Sequence, residues 1–265
     1  MTMKLIDWAR KVGRTKVDDN ASLDILLAPH LGHSGTCGTR NLIAREMWLE
    51  KTVAGIPSGS RILDAGAGEM KYKQYCAHLN YVSQDFAQYD GMGDGTGLQT
   101  GKWHQSHLDI VSDITRIPEP NASFDAVMCI EVLEHLPNPI DALRELHRLL
   151  KSGGKLILTA PFCCLTHMAP YFYQTGFSRY FYEYWFREFG FHLVELELNG
   201  NFFEFLAQEI RRLPDVAAEY ADGALSDMEK KAQEILLGAL NRFSQSDQGS
   251  ERFLSYGLHV LGRKL

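Results

Sequence analysis

The run Ile62-Leu63-Asp64-Ala65-Gly66-Ala67-Gly68 constrains this chain more than any other stretch. An apolar strand reaches an acid, then two glycines one residue apart, then a segment read as a helix over 70–78. Glycine is needed where a backbone turns sharply and comes close to a ligand. The run therefore predicts a strand, a tight turn and a helix, the opening unit of a parallel sheet. A dinucleotide-binding loop would continue to a third glycine or alanine in the pattern G-x-G-x-x-G. That position holds Lys71, whose long side chain would stand where the backbone must approach a pyrophosphate. The acid just ahead of the glycines suits a ligand with an ammonium group better than one with a pyrophosphate. The loop points away from a dinucleotide.

Alternation continues along the chain. Apolar runs predict strands at 61–65, 81–85, 107–111, 124–130, 155–160, 191–198 and 256–261. Helical spacing covers 39–54, with Leu42, Ile43, Met47 and Val53 near one face and Gly55 and Pro57 as the stop. Asn138 with Pro139 opens another helix, expected to end at Gly153-Gly154. Asn201 opens one expected to stop at Pro214. Ser226-Asp227-Met228-Glu229 is a capping box ahead of a further helical repeat. Strand–helix alternation argues for a parallel sheet covered on both faces, with the last two helices inserted before the final strand. The expected units are an N-terminal helical segment at 1–57, an α/β domain at 58–198 and 254–265, and a helical insertion at 199–253.

Composition narrows the partners. The net charge of −6 disfavours nucleic acid, whose binding draws on Lys and Arg. The N-terminus lacks a basic start backed by an apolar region, and no apolar run is long enough to span a bilayer. The five cysteines follow no zinc-ligand spacing and read as reduced thiols of a cytoplasmic protein. The loop from Asp90 to Gly95 starts like a calcium loop but lacks the acid expected at the twelfth position, and no histidine pattern signals a metal, so none is expected.

Asp85 ends the second strand, 19 residues beyond Gly66. A carboxylate there can accept both hydroxyls of a ribose, and Phe86 can stack on an adenine. Four further motifs follow in order: Asp113-Ile114-Thr115-Arg116-Ile117-Pro118; Ser123-Phe124-Asp125; Glu131-Val132-Leu133-Glu134-His135-Leu136; and Leu146-His147-Arg148-Leu149-Leu150-Lys151-Ser152-Gly153-Gly154. Together they resemble the class I S-adenosylmethionine-dependent methyltransferases, in the branch of quinone-biosynthesis and small-molecule enzymes, over residues 58–162. The resemblance implies a Rossmann-like, doubly wound, mostly parallel seven-stranded sheet whose last strand is antiparallel. It implies S-adenosylmethionine as cofactor. Asp64, Ala65, Gly66, Ala67 and Gly68 would cradle its methionine part, Asp85 its ribose, and Phe86 its adenine. Asp113 and the Ile114 N–H would meet the adenine edge, and Glu131 would line the methionine end. Met70 departs from the family, many members of which carry a third glycine there.

Methyl transfer needs alignment and exclusion of water, and a base only where the acceptor must lose a proton. His135, just after the fourth strand, and His167, after the fifth, are the candidate catalytic residues; each also reads as a structural or loop histidine. Glu134 reads as surface. The aromatic segment 171–186 reads as an acceptor wall or as a helix with a core face. His33 and Arg40 precede the domain and belong to a candidate lid, with Arg40 placed to pair with a carboxylate. The expected function is methyl transfer to a small-molecule acceptor. The alternatives are a donor-binding protein without catalysis and a nucleotide-dependent oxidoreductase.

Overall fold

The computed structural model describes residues 35–105 and 107–265; His33 lies outside them. Seven strands form one sheet: β1 Arg61–Ala65, β2 Asn80–Asp85, β3 Ile110–Val111, β4 Phe124–Ile130, β5 Leu150–Pro161, β6 Phe191–Asn199 and β7 Gly257–Lys264. Their order is β3-β2-β1-β4-β5-β7-β6. β7 runs antiparallel to both its neighbours and the other six are parallel, the architecture the resemblance implies. The order reverses between β1 and β4, and an open α/β sheet binds ligands outside the carboxyl ends of its strands at such a switch.

Among the described residues, five helices flank or extend the sheet: α1 Asn41–Ala54, α2 Pro139–Leu149, α3 Arg179–Phe189, α4 Phe202–Tyr220 and α5 Asp227–Gln245. The larger core lies on the α2 and α3 side, where Leu63, Phe124, Leu143, Leu146, Leu158 and Tyr182 are fully buried. The smaller one lies under α1, with Trp48, Leu49, Val53, Ile62, Met128 and Ile157. Asn138 caps α2 through the Asp141 N–H, and both halves of the Ser226–Glu229 capping box form at α5.

Four local expectations are corrected. The helix expected over 70–78 is a short 3-10 turn, Lys71–Cys76, entered through Met70 in the left-handed region (φ 58°). Met70 thus takes the backbone conformation that a glycine adopts freely, at a cost of about 1–2 kcal/mol. On α1 the buried face is Trp48, Leu49 and Val53, while Leu42, Ile43 and Met47 are exposed. The largest side chain sets that rotation: the Trp48 ring stacks on His259 at 5.0 Å and its Nε1 donates to Glu195 at 2.8 Å.

α2 ends at Leu149, ahead of the two glycines, because Leu150 is already buried and paired with Phe124 in β5. Gly153 and Gly154 instead lie within β5, where the register against β4 shifts between Phe124 and Ala126. Pro214 does not end α4, which runs on to Tyr220. Proline has no N–H for the Ile210 carbonyl, and Gln233 Nε2 of α5 donates to that carbonyl at 2.5 Å instead.

Candidate functional site

A cavity of about 480 Å³ opens at the carboxyl ends of β1, β2 and β4, within the range that cofactor sites occupy. The glycine turn and the end of β2 meet there. The Gly66 and Ala67 N–H groups both donate to the Gln84 carbonyl at 2.8 Å, and the Gly68 N–H donates to Asp85 Oδ2 at 2.9 Å. Gly66 has φ +80°, and a Cβ there would fall 2.5 Å from Val132 Cγ2. Only glycine lets the β1 turn close against the turn after β4.

Of the residues assigned to a donor, Gly66, Asp85, Phe86, Asp113, Ile114 and Glu131 line this cavity. Asp85 also accepts from the Ala87 N–H (2.9 Å) and Gln105 Nε2 (3.3 Å). Asp113 is exposed and closes a turn on the Thr115 N–H and Oγ1, each 2.8 Å away. Asp64, Ala65, Ala67 and Gly68 stand behind the lining. Asp64 is buried and accepts from the Tyr81 hydroxyl at 2.7 Å. Burial pushes its carboxyl up to about 7, with Asp85 adding to the rise and the Tyr81 donor opposing it.

The lining carries the carboxylates of Asp85, Asp113 and Glu131 and no lysine or arginine. Two buried polar atoms of lining residues, Gln84 Oε1 and Ser112 Oγ, have no partner among the described residues. A buried polar atom of this kind is satisfied by a ligand or a water.

Two loops cover the cavity. The glycine-rich stretch after β2 pairs with the loop after β5: the Leu98 N–H donates to the Thr166 carbonyl at 3.0 Å, and the Met168 N–H to the Leu98 carbonyl at 2.9 Å. Trp103 lies over Gly68 and meets Tyr89 edge-on at 5.0 Å, while Phe86 meets Tyr171 edge-on at 4.9 Å. The aromatic segment is therefore divided. Tyr171 and Tyr173 line the cavity, and Tyr182 and Phe186 of α3 belong to the core.

Arg40 is exposed at the start of α1, and Arg45, one turn on, points inward to hold Glu131 Oε2 at 2.6 Å. The expectation for Glu134 is overturned. Its side chain is 1% exposed, neither oxygen has a hydrogen-bond partner, and burial raises its carboxyl far above the usual range. Beside it stand both candidate catalytic histidines. His135 Nδ1 lies 2.7 Å from the Tyr171 carbonyl and His167 Nδ1 lies 2.9 Å from the Leu165 carbonyl, with the two rings 4.7 Å apart. Burial, then the neighbouring His167, lowers His135 to about 4. Among the described residues, Glu134, His135 and His167 form a group able to hold a metal ion.

Sequence reasoning missed Arg45, Trp103 and the pairing of the two loops. Arg45 carried a signal, since it stands three and four residues ahead of Trp48 and Leu49 and so shares the buried side of the helix.

The family described as a methyltransferase domain matches residues 63–158. That match bears out the resemblance to class I methyltransferases for this segment. Ubiquinone biosynthesis O-methyltransferase of Xanthomonas oryzae pv. oryzae is 35% identical over 105 residues, covering 38% of this chain and 43% of the relative. The enzyme of that name from Pseudomonas aeruginosa is 31% identical over 122 residues, covering 43% and 49%. The chain spans less than half the length of the curated relatives it matches. Among solved structures, a SAM-dependent methyltransferase from Archaeoglobus fulgidus matches with TM-score 0.51 at 14% identity, covering 86% of this chain and 95% of that one. The [4+2]-cyclase SpnF matches with TM-score 0.52 at 19% identity, covering 92% and 94%. These two share the fold, and their names differ in chemistry, so the fold alone does not fix the reaction.

Proposed function

We propose that this chain is an S-adenosylmethionine-dependent methyltransferase that acts on a small-molecule acceptor by in-line displacement. The observation that carries this reading is the charge of the cavity: three carboxylates and no lysine or arginine in its lining. A ligand bearing an ammonium and a sulfonium suits that lining, and the pyrophosphate of a dinucleotide does not. The unpartnered Gln84 Oε1 and Ser112 Oγ also suit a ligand rich in hydrogen-bonding edges. The cofactor would supply a methyl group on a positively charged sulfur, already reactive toward a nucleophile.

The chain's own residues then bind, orient and exclude water. Asp85 would accept from the ribose hydroxyls, Phe86 would pack on the adenine, and Asp113 with the Ile114 N–H would meet its edge. Glu131, tied to Arg45, would line the methionine end. Asp64, Ala65, Ala67 and Gly68 would shape the turn from behind. Trp103, Met168 and Tyr171 would keep water from the reacting atoms. His135, which lines the cavity, and His167, which packs against it outside the lining, would serve at the acceptor side as the catalytic candidates.

No helix among the described residues is long and apolar enough to cross a membrane. The five free cysteines support a reducing, cytoplasmic setting. Isothermal titration with S-adenosylmethionine and with its demethylated product tests the proposal; binding of both is expected. Binding of neither ends it. Binding without turnover across a broad acceptor panel would leave a donor-binding protein.

A further inference from the structure

We propose that Glu134, His135 and His167 form a binding site for one divalent transition ion of the zinc class, set at the edge of the cavity. The geometry of the three side chains carries the site by itself. Its position on the acceptor side of a methyl donor rests on the function proposed above.

His135 Nδ1 and His167 Nδ1 each face a backbone carbonyl, at 2.7 and 2.9 Å. A carbonyl only accepts, so each Nδ1 carries the proton and each Nε2 presents a bare lone pair. Both Nε2 atoms face the same carboxylate oxygen, Glu134 Oε1, at 3.8 and 3.9 Å. That carboxylate is 1% exposed and has no donor. With Glu134 ionised, three acceptors converge in a buried space with nothing positive between them, an arrangement that is costly when left empty.

A direct hydrogen bond would draw nitrogen and oxygen to about 2.7–3.2 Å. The observed separations are too long for that and suit an ion between the groups. Zn–N and Zn–O bonds of about 2.0–2.2 Å place tetrahedral ligand atoms roughly 3.4 Å apart. The three candidate ligand atoms already lie within 4.8 Å of one another, so side-chain movements of about an ångström complete the site. The carbonyls holding both Nδ1–H groups are the outer partners that fix imidazole ligands in the correct tautomer.

The donor set names the class of ion. Two imidazoles and one carboxylate suit zinc or a neighbouring first-row ion, whereas calcium and magnesium favour all-oxygen shells. Three protein ligands leave a coordination position open. His135 lines the cavity, so that position faces it and fits an oxygen nucleophile, whose proton a bound cation makes easier to lose. His167 belongs to the covering loop through its bridge to Leu98, so the ion would also tie that loop to the turn after β4.

The test uses the full chain stripped with a chelator. Zn²⁺ is titrated calorimetrically, Co²⁺ is followed by its visible ligand-field absorption, and binding of the demethylated donor product is measured on the same preparation. The variants are His167→Ala, in a loop outside the core, and Glu134→Gln, which keeps the buried shape. A single ion per chain is expected. Each variant should weaken it roughly 100-fold or more and remove the Co²⁺ signature, with circular dichroism unchanged. Affinity no tighter than roughly 1 mM in the parent chain, or unchanged in both variants, overturns the site. Ion binding without product binding would leave the site standing and remove the methyltransferase reading. Product binding without ion binding would do the reverse.

Discussion

Arg45 of α1 lies 2.6 Å from Glu131 at the tip of β4, and the residue it holds has a left-handed backbone, φ 55°. The pair joins the N-terminal helix to the strand end that lines the cavity. Arg45 is 15% exposed and Glu131 29%, so the charges are only partly screened. Arg45→Met should leave the carboxylate half-buried beside a strained backbone. Breaking a buried pair costs about 3–5 kcal/mol, and the exposure of Glu131 reduces this to roughly 2 kcal/mol. Urea denaturation measures the loss, and the double variant with Glu131→Gln should recover more than half of it. A single-variant cost below about 0.5 kcal/mol would show that the pair does not hold the helix.

Asp85 and Asp64 sit at the ends of adjacent strands, yet only Asp85 lines the cavity. Asp85→Asn should weaken binding of the demethylated donor product by about 1–3 kcal/mol, roughly 5- to 150-fold. Asp64→Asn should leave it within about threefold, because Asp64 is engaged with Tyr81 behind the turn. Calorimetry on both variants decides. Equal losses would mean that Asp64 touches the ligand after all.

Asp64 should also shape the pH dependence of stability. Its folded carboxyl is raised to about 7, against an unfolded value near 4. Between those values the folded chain holds a proton that the unfolded chain has lost. Its stabilising contribution is therefore complete below about pH 4 and is lost as pH rises through about 7. The loss is on the order of 4 kcal/mol. Asn at this position keeps an acceptor for the Tyr81 hydroxyl but leaves a buried amide N–H, at about 1–2 kcal/mol. The variant should be roughly 2 kcal/mol more stable than the parent at pH 8, and that advantage should disappear toward pH 5. Urea midpoints at the two pH values check it. A parent chain that gains stability on the variant between pH 5 and pH 8 would reverse the sign.

Some of this was legible in the sequence because it is local. Short apolar runs bounded by turn residues, such as Ile62-Leu63 and Ala126–Ile130, read as buried strands, and Asn138 and Ser226 cap through their own neighbours. The parts that stayed hidden depend on contacts far along the chain. Which face of α1 is buried was decided by Trp48 meeting His259 and Glu195, beyond any periodicity within the helix. Pro214 reads as a stop until Gln233, on the next helix, fills the missing bond. Glu134 follows a strand as an ordinary acid, and its burial appears only when the loop after β5 folds over it. The glycines after β2 announce turns but not the loop they close upon.

That closure yields the last prediction. Gly97 has φ +68°, and a Cβ there would stand 2.4 Å from the Thr166 carbonyl oxygen, on the seam between the covering loops. Gly95, two residues earlier, has φ +78° and nothing within 4 Å of its would-be Cβ. Alanine at either position meets the same left-handed strain of about 1–2 kcal/mol. Only Gly97→Ala also forces the seam apart, losing the Leu98 and Met168 amide bonds at about 1 kcal/mol each. Hydrogen exchange at those two amides should therefore speed up roughly 30-fold more in Gly97→Ala than in Gly95→Ala. The core strands should be unaffected, and affinity for the demethylated donor product should fall in the first variant alone. Equal exchange in the two variants would mean that the loops are held by something other than this backbone contact, and that the cavity's cover is not built on Gly97.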